Sequence, residues 1–286
     1  MEHLAHCALR YNCRNAQNLF YKRWEAPLPI SGACNAKCLG CLSFQESDCN
    51  VASHQRISFV PTPQEVTDVA LGHLKTARQA MVSFGQGCEG EPLLEFSVLK
   101  ESVSFLRKNT RRGTIHLNTN GFNGGYLKEL AERGLDSVRI SINSFDRKFY
   151  EAYYRPKGYS LPDVLDAVIQ AKKSGLFVAL NLLTFPGFTD AEKEASALVK
   201  FLKKGHVDLL QLRNLSIDPQ FFLKHMPRPQ GRPLGISRLV SLLRKKCPGL
   251  RVGYFNLYKK SFKDPSSNKS WRKGNLFEKK AFSCYY

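Results

Sequence analysis

At 286 residues, with 43% hydrophobic side chains, the chain can bury a full core and fits one barrel-sized domain with short extensions. Its longest apolar run, Leu176 to Phe185, is interrupted by Asn181 and Thr184 and falls short of the roughly 20 residues of a membrane helix, so no membrane span is expected and a buried strand is. The formal charge of +19 makes polyanions the obvious partners, a nucleic acid or nucleotide substrate among them, although lysine retained for solubility accounts for the same excess.

The first residues, Met1 to His6, lack the basic region and apolar stretch of a secretory signal, and the expectation is a cytoplasmic protein. Its nine cysteines are then mostly reduced, and clustered ones point to metal or catalysis rather than to disulfides. Residues 1–25 form an N-terminal extension. Its His3, His6, Cys7 and Cys13 do not follow the paired short-loop spacing of common zinc sites, and the extension reads as a surface segment. From Ala26 to Gly32 an apolar stretch ends in turn residues at Cys34, as a strand delivers a loop to the end of a sheet.

Strand-like and helix-like segments then alternate. Gln79–Phe84 reads as a strand and Leu94–Lys108 as a helix; Thr114–Thr119 and Tyr126–Arg133 repeat the pair. Ser137–Ile142 is followed by a helix through Leu165, Val168 and Ala171 to a stop at Gly175. Phe177–Thr184, Ala191–Lys204 and Asp208–Leu212 continue the order strand, helix, strand. This order predicts an α/β fold over residues 26–258: parallel strands with right-handed crossover helices, curled into a partial or full (β/α) barrel whose chemistry lies at the carboxyl ends of the strands. Residues 259–286 form a basic C-terminal tail in which Trp271, Phe277, Phe282, Tyr285 and Tyr286 lie among lysines and arginines, a composition of a floppy tail that also suits stacking on single-stranded nucleic acid.

Cys34, Cys38 and Cys41 stand at a three-then-two spacing after the first strand, close enough to converge on one inorganic centre. In a cubane cluster each thiolate holds one of four irons, and three ligands leave one iron open. Zinc is the rival, with Cys49 as the fourth ligand of a tetrahedral four-sulfur site. After the second strand comes Gly85-Gln86-Gly87-Cys88-Glu89-Gly90-Glu91-Pro92, where small residues let backbone groups approach a ligand and Glu91 can pair with an ammonium group. Cys88 reads as a buried or incidental thiol.

Together these motifs resemble the radical S-adenosylmethionine (radical SAM) superfamily, over roughly residues 26 to 220. The resemblance implies a [4Fe–4S] cluster on Cys34, Cys38 and Cys41, with Gly90, Glu91 and Pro92 at the methionine end of S-adenosylmethionine. Thr119-Asn120-Gly121, the strand Arg139 to Asn143, and Pro186-Gly187-Phe188-Thr189-Asp190 look like further pieces of the family's barrel, and by analogy Thr119, Ser141 and Asn143 line the cofactor. Two residues depart from the pattern: Glu89 replaces a usual glycine, and Gly40 replaces the aromatic residue that leans on the adenine. The activity implied is reductive cleavage of S-adenosylmethionine to a 5′-deoxyadenosyl radical that abstracts hydrogen, fed by a one-electron donor such as flavodoxin or ferredoxin.

For the substrate, Arg213, Asn214 and Asp218 would face the barrel mouth and could grip an anionic or amide-bearing molecule, unless Arg213 and Asp218 pair to shape their own loop. Cys247 and Cys284 stand alone, which counts against members with auxiliary clusters in a C-terminal domain, such as many peptide-maturing enzymes and the molybdopterin-pathway cyclase. A small activase that installs a glycyl radical fits the size; the charge favours nucleic acid or a nucleotide. Two non-enzymatic readings stand beside these: a zinc-stapled basic module that binds nucleic acid, and a cluster protein that only passes electrons.

Overall fold

The computed structural model describes residues 1–45 and 52–264. Two short helices, α1 (Glu2–Leu9) and α2 (Arg14–Phe20), precede β1 (Arg23–Pro27). The chain then alternates α3 (Pro63–Thr76), β2 (Arg78–Phe84), α4 (Phe96–Asn109), β3 (Thr114–Thr119), α5 (Gly124–Glu132) and β4 (Ser137–Ile142). Two helices, α6 (Arg147–Tyr154) and α7 (Leu161–Lys173), lead to β5 (Phe177–Thr184). After α8 (Glu192–Leu202) and β6 (Leu209–Asn214), α9 (Pro219–His225) and α10 (Ile236–Lys246) lead to the short β7 (Arg251–Gly253).

All seven strands are parallel and lie in sequence order, β1 to β7, so the sheet keeps two open edges and is a half-barrel rather than a closed one. Strand alternation sorts its side chains. Val82, Phe84, Ile115, Leu117, Val138, Ile140, Val178, Leu180 and Leu210 join the core under the helices. The intervening positions, Ser83 with His116, Asn118 with Arg139, and Ser141 with Asn181 and Gln211, fall in register on the opposite, concave face. That face is polar, whereas a closed barrel of this kind fills its interior with branched apolar residues.

Local chemistry explains elements that hydrophobic period alone leaves unread. Thr62 and Glu65 form a reciprocal capping box with Pro63 in the first turn, which starts α3. Asp146 caps α6, whose Tyr150, Tyr153 and Tyr154 are buried. The extension differs from the surface segment its ligand spacing suggested: it is helical and packed, with Leu4, Cys7 and Ala8 of α1 and Ala16 and Leu19 of α2 buried. The strand expected from Ala26 to Gly32 ends at Pro27. Prolines 27 and 29 cannot donate to a ladder, so the chain continues beside the end of β2 and the loop after it through single bonds such as Leu28 N–H to Ser83 O, 2.8 Å, and Gly90 N–H to Ser31 O, 2.6 Å.

Beyond β7 the chain turns back beneath the half-barrel. Asn256 donates to Glu25 on β1 at 2.8 Å and accepts from Gln211 on β6 at 2.9 Å, joining the first strand to the sixth across the opening. Phe262 stacks on Phe177 with centroids 4.2 Å apart, and the Lys259 N–H donates to Thr114 Oγ1 at 2.9 Å. Residues 259–264 of the expected tail are thus packed, and its aromatic part from Trp271 onward, like Cys49 and Cys284, lies outside the described residues. No helix among the described residues is long and apolar enough to cross a membrane.

At the amino-terminal end of the sheet, Asp136 accepts from the Ile115 N–H at 2.7 Å and pairs with Arg107, with both side chains mostly buried. Removing the carboxylate strands the guanidinium. Asp136→Ala is expected to cost about 3 kcal/mol, read as a lowered denaturant midpoint at unchanged slope.

Candidate functional site

Three loops at the carboxyl ends of β1, β2 and β3 are laced into one structure. Two buried glutamates do the lacing. Glu89 receives four backbone N–H groups: Ile30 at 2.9 Å and Ser31 at 3.3 Å on Oε2, with Gly85 and, at 3.2 Å, Gln86 on Oε1. It thereby clips the strand entering the cysteine loop to the turn leaving β2. Glu91 accepts on Oε1 from the Thr119 hydroxyl at 2.6 Å and the Leu93 N–H at 3.1 Å, and on Oε2 from the Asn120 N–H at 2.7 Å. Asn120 Nδ2 in turn donates to Asn35 Oδ1 within the cysteine loop at 2.6 Å.

Burial pushes the Glu89 carboxyl up to about 8 and the Glu91 carboxyl up to about 7, against the lowering effect of these hydrogen bonds. Among the described residues no lysine or arginine pairs with Glu91. Gly90 lies between the two, and its own N–H donates to Ser31 O at 2.6 Å. A Cβ at Gly90 would stand 1.8 Å from the carbonyl oxygen of Ala33, so only glycine allows the β2 loop to lie against the cysteine loop.

The cysteine loop rests on the end of α6. Lys37 and Leu39 N–H groups donate to Tyr154 O and Tyr153 O at 3.0 and 2.9 Å, and the Lys157 N–H donates to Asn35 O at 2.8 Å. Cys34, Cys38 and Cys41 are all partly exposed. Burial pushes the Cys34 thiol up to about 11 and raises Cys38 well above the ordinary thiol range, and each must lose its proton to hold a metal. Arg56, which sequence reading passed over, sits beside them: its Nη2 is 3.6 Å from Cys41 Sγ and its Nε donates to Ser43 Oγ at 3.0 Å.

The number of ligands separates the two candidate metals. Structural zinc takes four ligands; the described part of this loop supplies Cys34, Cys38 and Cys41, and three thiolates suit a cubane with one iron left open.

Gly40 has a physical reason. A Cβ there would lie 2.6 Å from the Tyr153 hydroxyl oxygen, so α6 supplies an aromatic ring where the loop has none. Ser141 lies on the concave face, in register with Asn181. Asn143 is buried; its Nδ2 donates to Phe149 O at 3.0 Å, while its Oδ1 is buried without a partner. That unpaired buried amide oxygen is an acceptor open to a donor.

The expected substrate residues separate. Arg213 faces the concave surface, donates to Asn181 Oδ1 at 3.2 Å and lies over the Tyr254 ring, 4.1 Å from its centroid. Asp218 caps α9 by accepting from the Phe221 N–H at 2.7 Å, and Asn214 is exposed at the end of β6. Asp218 is therefore occupied in shaping its helix, without an ion pair to Arg213 among the described residues. Sequence reading missed the partner of Arg213 within the half-barrel, Arg139 on β4. Arg139 Nη1 donates to Gln211 at 3.3 Å, its Nε is buried without a partner, and burial plus the charge of Arg213 bring it down to about 10.

The comparisons with known proteins converge. A family model described as the Radical SAM superfamily matches residues 28–199. A GTP 3′,8-cyclase of Chlorobaculum tepidum is 26% identical over 233 residues, covering 79% of this chain and 62% of the relative. One from Aquifex aeolicus is 27% identical over 183 residues, covering 64% and 53%. The chain thus spans only about half to three-fifths of the length of these relatives. Among solved structures, Streptococcus suis SuiB bound to precursor peptide SuiA superposes with TM-score 0.57 at 13% identity, over 87% of this chain and 54% of that one. The FeFe-hydrogenase maturase HydG from Carboxydothermus hydrogenoformans gives 0.56 at 16% identity, over 91% and 64%.

Two outcomes test this geometry. Gly90→Ala is expected to displace the cysteine loop, so that iron retained after anaerobic reconstitution falls several-fold while far-ultraviolet circular dichroism persists. His116, hydrogen-bonded to Ser137 at 2.7 Å and Asn118 at 3.1 Å, is brought down by burial to about 4 from an ordinary 6.5. The unfolded chain therefore takes the proton first: this stability is complete above about pH 6.5 and is lost as pH falls toward 4, roughly 3 kcal/mol in all. Denaturant midpoints at pH 7 and 4.5 should fall less in His116→Gln than in the parent.

Proposed function

Because the chain belongs to the radical SAM superfamily, whose membership implies a [4Fe–4S] cluster and S-adenosylmethionine, we propose that it is an enzyme generating a 5′-deoxyadenosyl radical to abstract hydrogen from an anionic, nucleotide-like substrate. When bound, these cofactors supply one-electron cleavage of a carbon–sulfur bond; the remaining tasks fall to the chain. Cys34, Cys38 and Cys41 would hold the cluster. Glu91 would receive the amino group of the methionine moiety, with Gly90 and Pro92 shaping the approach and Thr119 fixing the carboxylate through its 2.6 Å hydrogen bond. Ser141 and the unpaired Asn143 Oδ1 would meet polar groups of the same ligand.

One observation carries this reading: an uncompensated buried carboxylate, Glu91, is bonded through its own N–H to Ala33 O at 2.8 Å, one residue before the first cysteine. A zinc-stapled module that only binds nucleic acid has no use for that arrangement.

The substrate class follows from the charge inside the half-barrel. Among the described residues Glu25 is the one carboxylate whose charge bears on Arg139, and Glu25 already accepts from Ser83, Gln86 and Asn256. A phosphate or carboxylate would relieve both guanidiniums and give the Arg139 Nε a partner. The curated relatives are named for a reaction of GTP, which agrees with a phosphorylated substrate. Asn214 would lie at the rim of that pocket, and Asp218 would hold the rim by capping α9. The one-electron donor, of the flavodoxin or ferredoxin kind, would meet the basic surface beside Cys38, where Lys37, Arg155 and His225 line a cleft of about 170 Å³ with Phe44.

Reconstituted protein reduced with dithionite in the presence of S-adenosylmethionine is expected to release 5′-deoxyadenosine, and Cys38→Ala to release none; a fully loaded cluster that never cleaves the cofactor, with or without nucleoside triphosphates, would sink the proposal. Calorimetric titration with GTP should show affinity at least tenfold weaker in Arg213→Ala, about 1.4 kcal/mol.

A further inference from the structure

The N-terminal helices bring a second set of metal-ligating side chains together, away from the cluster loop. His3 and Cys7 are one turn apart on α1 and so share a face, with His3 Nε2 3.7 Å from Cys7 Sγ. Cys88, 1% exposed in the loop after β2, brings its sulfur to the same point, and the three ligand atoms lie within 4.8 Å of one another. Cys13, the residue before α2, packs against the same cluster of Cys7, Ala8, Ala16 and Cys88, and its N–H donates to Cys7 O at 3.0 Å.

These dimensions are those of a mononuclear tetrahedral site. Ligands at about 2.3 Å for sulfur and 2.1 Å for nitrogen stand roughly 3.6 Å apart, close to the His3–Cys7 separation. A core thiol needs only apolar neighbours and no imidazole nitrogen turned toward it. Soft thiolates with one imidazole select zinc over the hard divalent ions. Sequence spacing conceals the site because one ligand, Cys88, comes from a loop 75 positions beyond Cys13, brought near by packing of α1 and α2 beside β1 and β2.

We propose that His3, Cys7 and Cys88, whose ligand atoms already converge, bind one structural zinc ion that pins the N-terminal helices to the loop carrying Glu89 and Glu91, with Cys13, packed against them but outside that group of atoms, turning in as the fourth ligand. Each cysteine gives up its thiol proton on binding and no electron moves, so the site needs no oxidant or reductant. The ion would fix the base of the loop that Glu89 clips to the cysteine strand. Asn15 of α2 already bonds that loop, donating to Gln86 Oε1 at 2.9 Å. The inference does not rest on the proposed enzymatic reading, since none of its four ligands is a proposed cluster ligand.

The test uses the full chain carrying Cys34→Ala, Cys38→Ala and Cys41→Ala, so that metal on the cluster loop cannot contribute. Purified without oxygen, it should contain stoichiometric zinc by mass spectrometry, and cobalt exchanged for it should show the visible ligand-field bands of tetrahedral thiolate coordination. Adding His3→Ala, Cys7→Ser or Cys13→Ala should lower zinc to background with circular dichroism retained, and replacing the nearby His54, whose ring lies 5.4 Å from that of Tyr11 against the same cluster, by His54→Ala should leave it bound. Should the triple variant fail to fold, zinc counted alongside iron in the reconstituted parent and in its His3→Ala variant reads the same site. A folded protein without zinc, zinc indifferent to His3 and Cys7, or a Cys7–Cys88 disulfide in the denatured, alkylated chain would overturn the proposal. Zinc lost with His54 but kept without Cys13 would overturn the fourth ligand.

Discussion

The shape of the site depends on Glu89. Four backbone N–H groups from two separate segments converge on its carboxylate, and those segments are the approach to the cysteine loop and the turn after β2. A parallel sheet leaves such groups unpaired where its strands end, and an unpaired buried N–H costs about as much as a lost hydrogen bond. One carboxylate satisfies all four. Glycine, which the family pattern has here, could offer none of this, so the substitution transfers to a side chain a task the backbone or water must otherwise perform. Glu91 then repeats the device one loop further on, joining the β2 loop to the end of β3.

The concave face is governed by a different balance. Its strands alternate as strictly as any amphipathic sheet, yet the inward set is His116, Asn118, Arg139, Asn181, Gln211 and Arg213. Most of these side chains bond to one another: His116 to Asn118, Arg139 to Gln211, Arg213 to Asn181 and Gln211 to Asn256. The apolar face toward the helices carries the fold's burial, which leaves the lumen free to hold a charged surplus.

Much of this architecture is legible in the chain. The alternation of apolar strands and amphipathic helices gives the parallel half-barrel, and the segments expected near residues 79, 114, 137, 177 and 208 are strands β2 to β6 within a residue or two. Whether the barrel closes was not legible, because closure depends on pairing between β1 and β7, which no local pattern encodes. The helix α3 announces itself through Thr62-Pro63-Gln64-Glu65, a capping signal that outranks the weak periodicity around it. The roles of Glu89, Arg56 and Arg139 were hidden for a common reason. Each has a partner at least 15 positions away, and only the folded chain shows that the charge is buried or that it faces a sulfur. Asp218 shows the converse: a polar residue near the mouth satisfies the simplest requirement available, the end of its own helix.

The bond pair through Asn256 has a mechanical consequence. A closed barrel has a bore fixed by strand number and shear, and widening it means breaking a ladder. Here β1 and β7 share no ladder, and the bridge described across the gap is one amide reaching Glu25 and Gln211. Parting those two hydrogen bonds costs on the order of 1–3 kcal/mol, within reach of the binding energy of a modest ligand. The aperture of the lumen is therefore a soft coordinate, set by two side-chain hydrogen bonds where a closed barrel has a ladder.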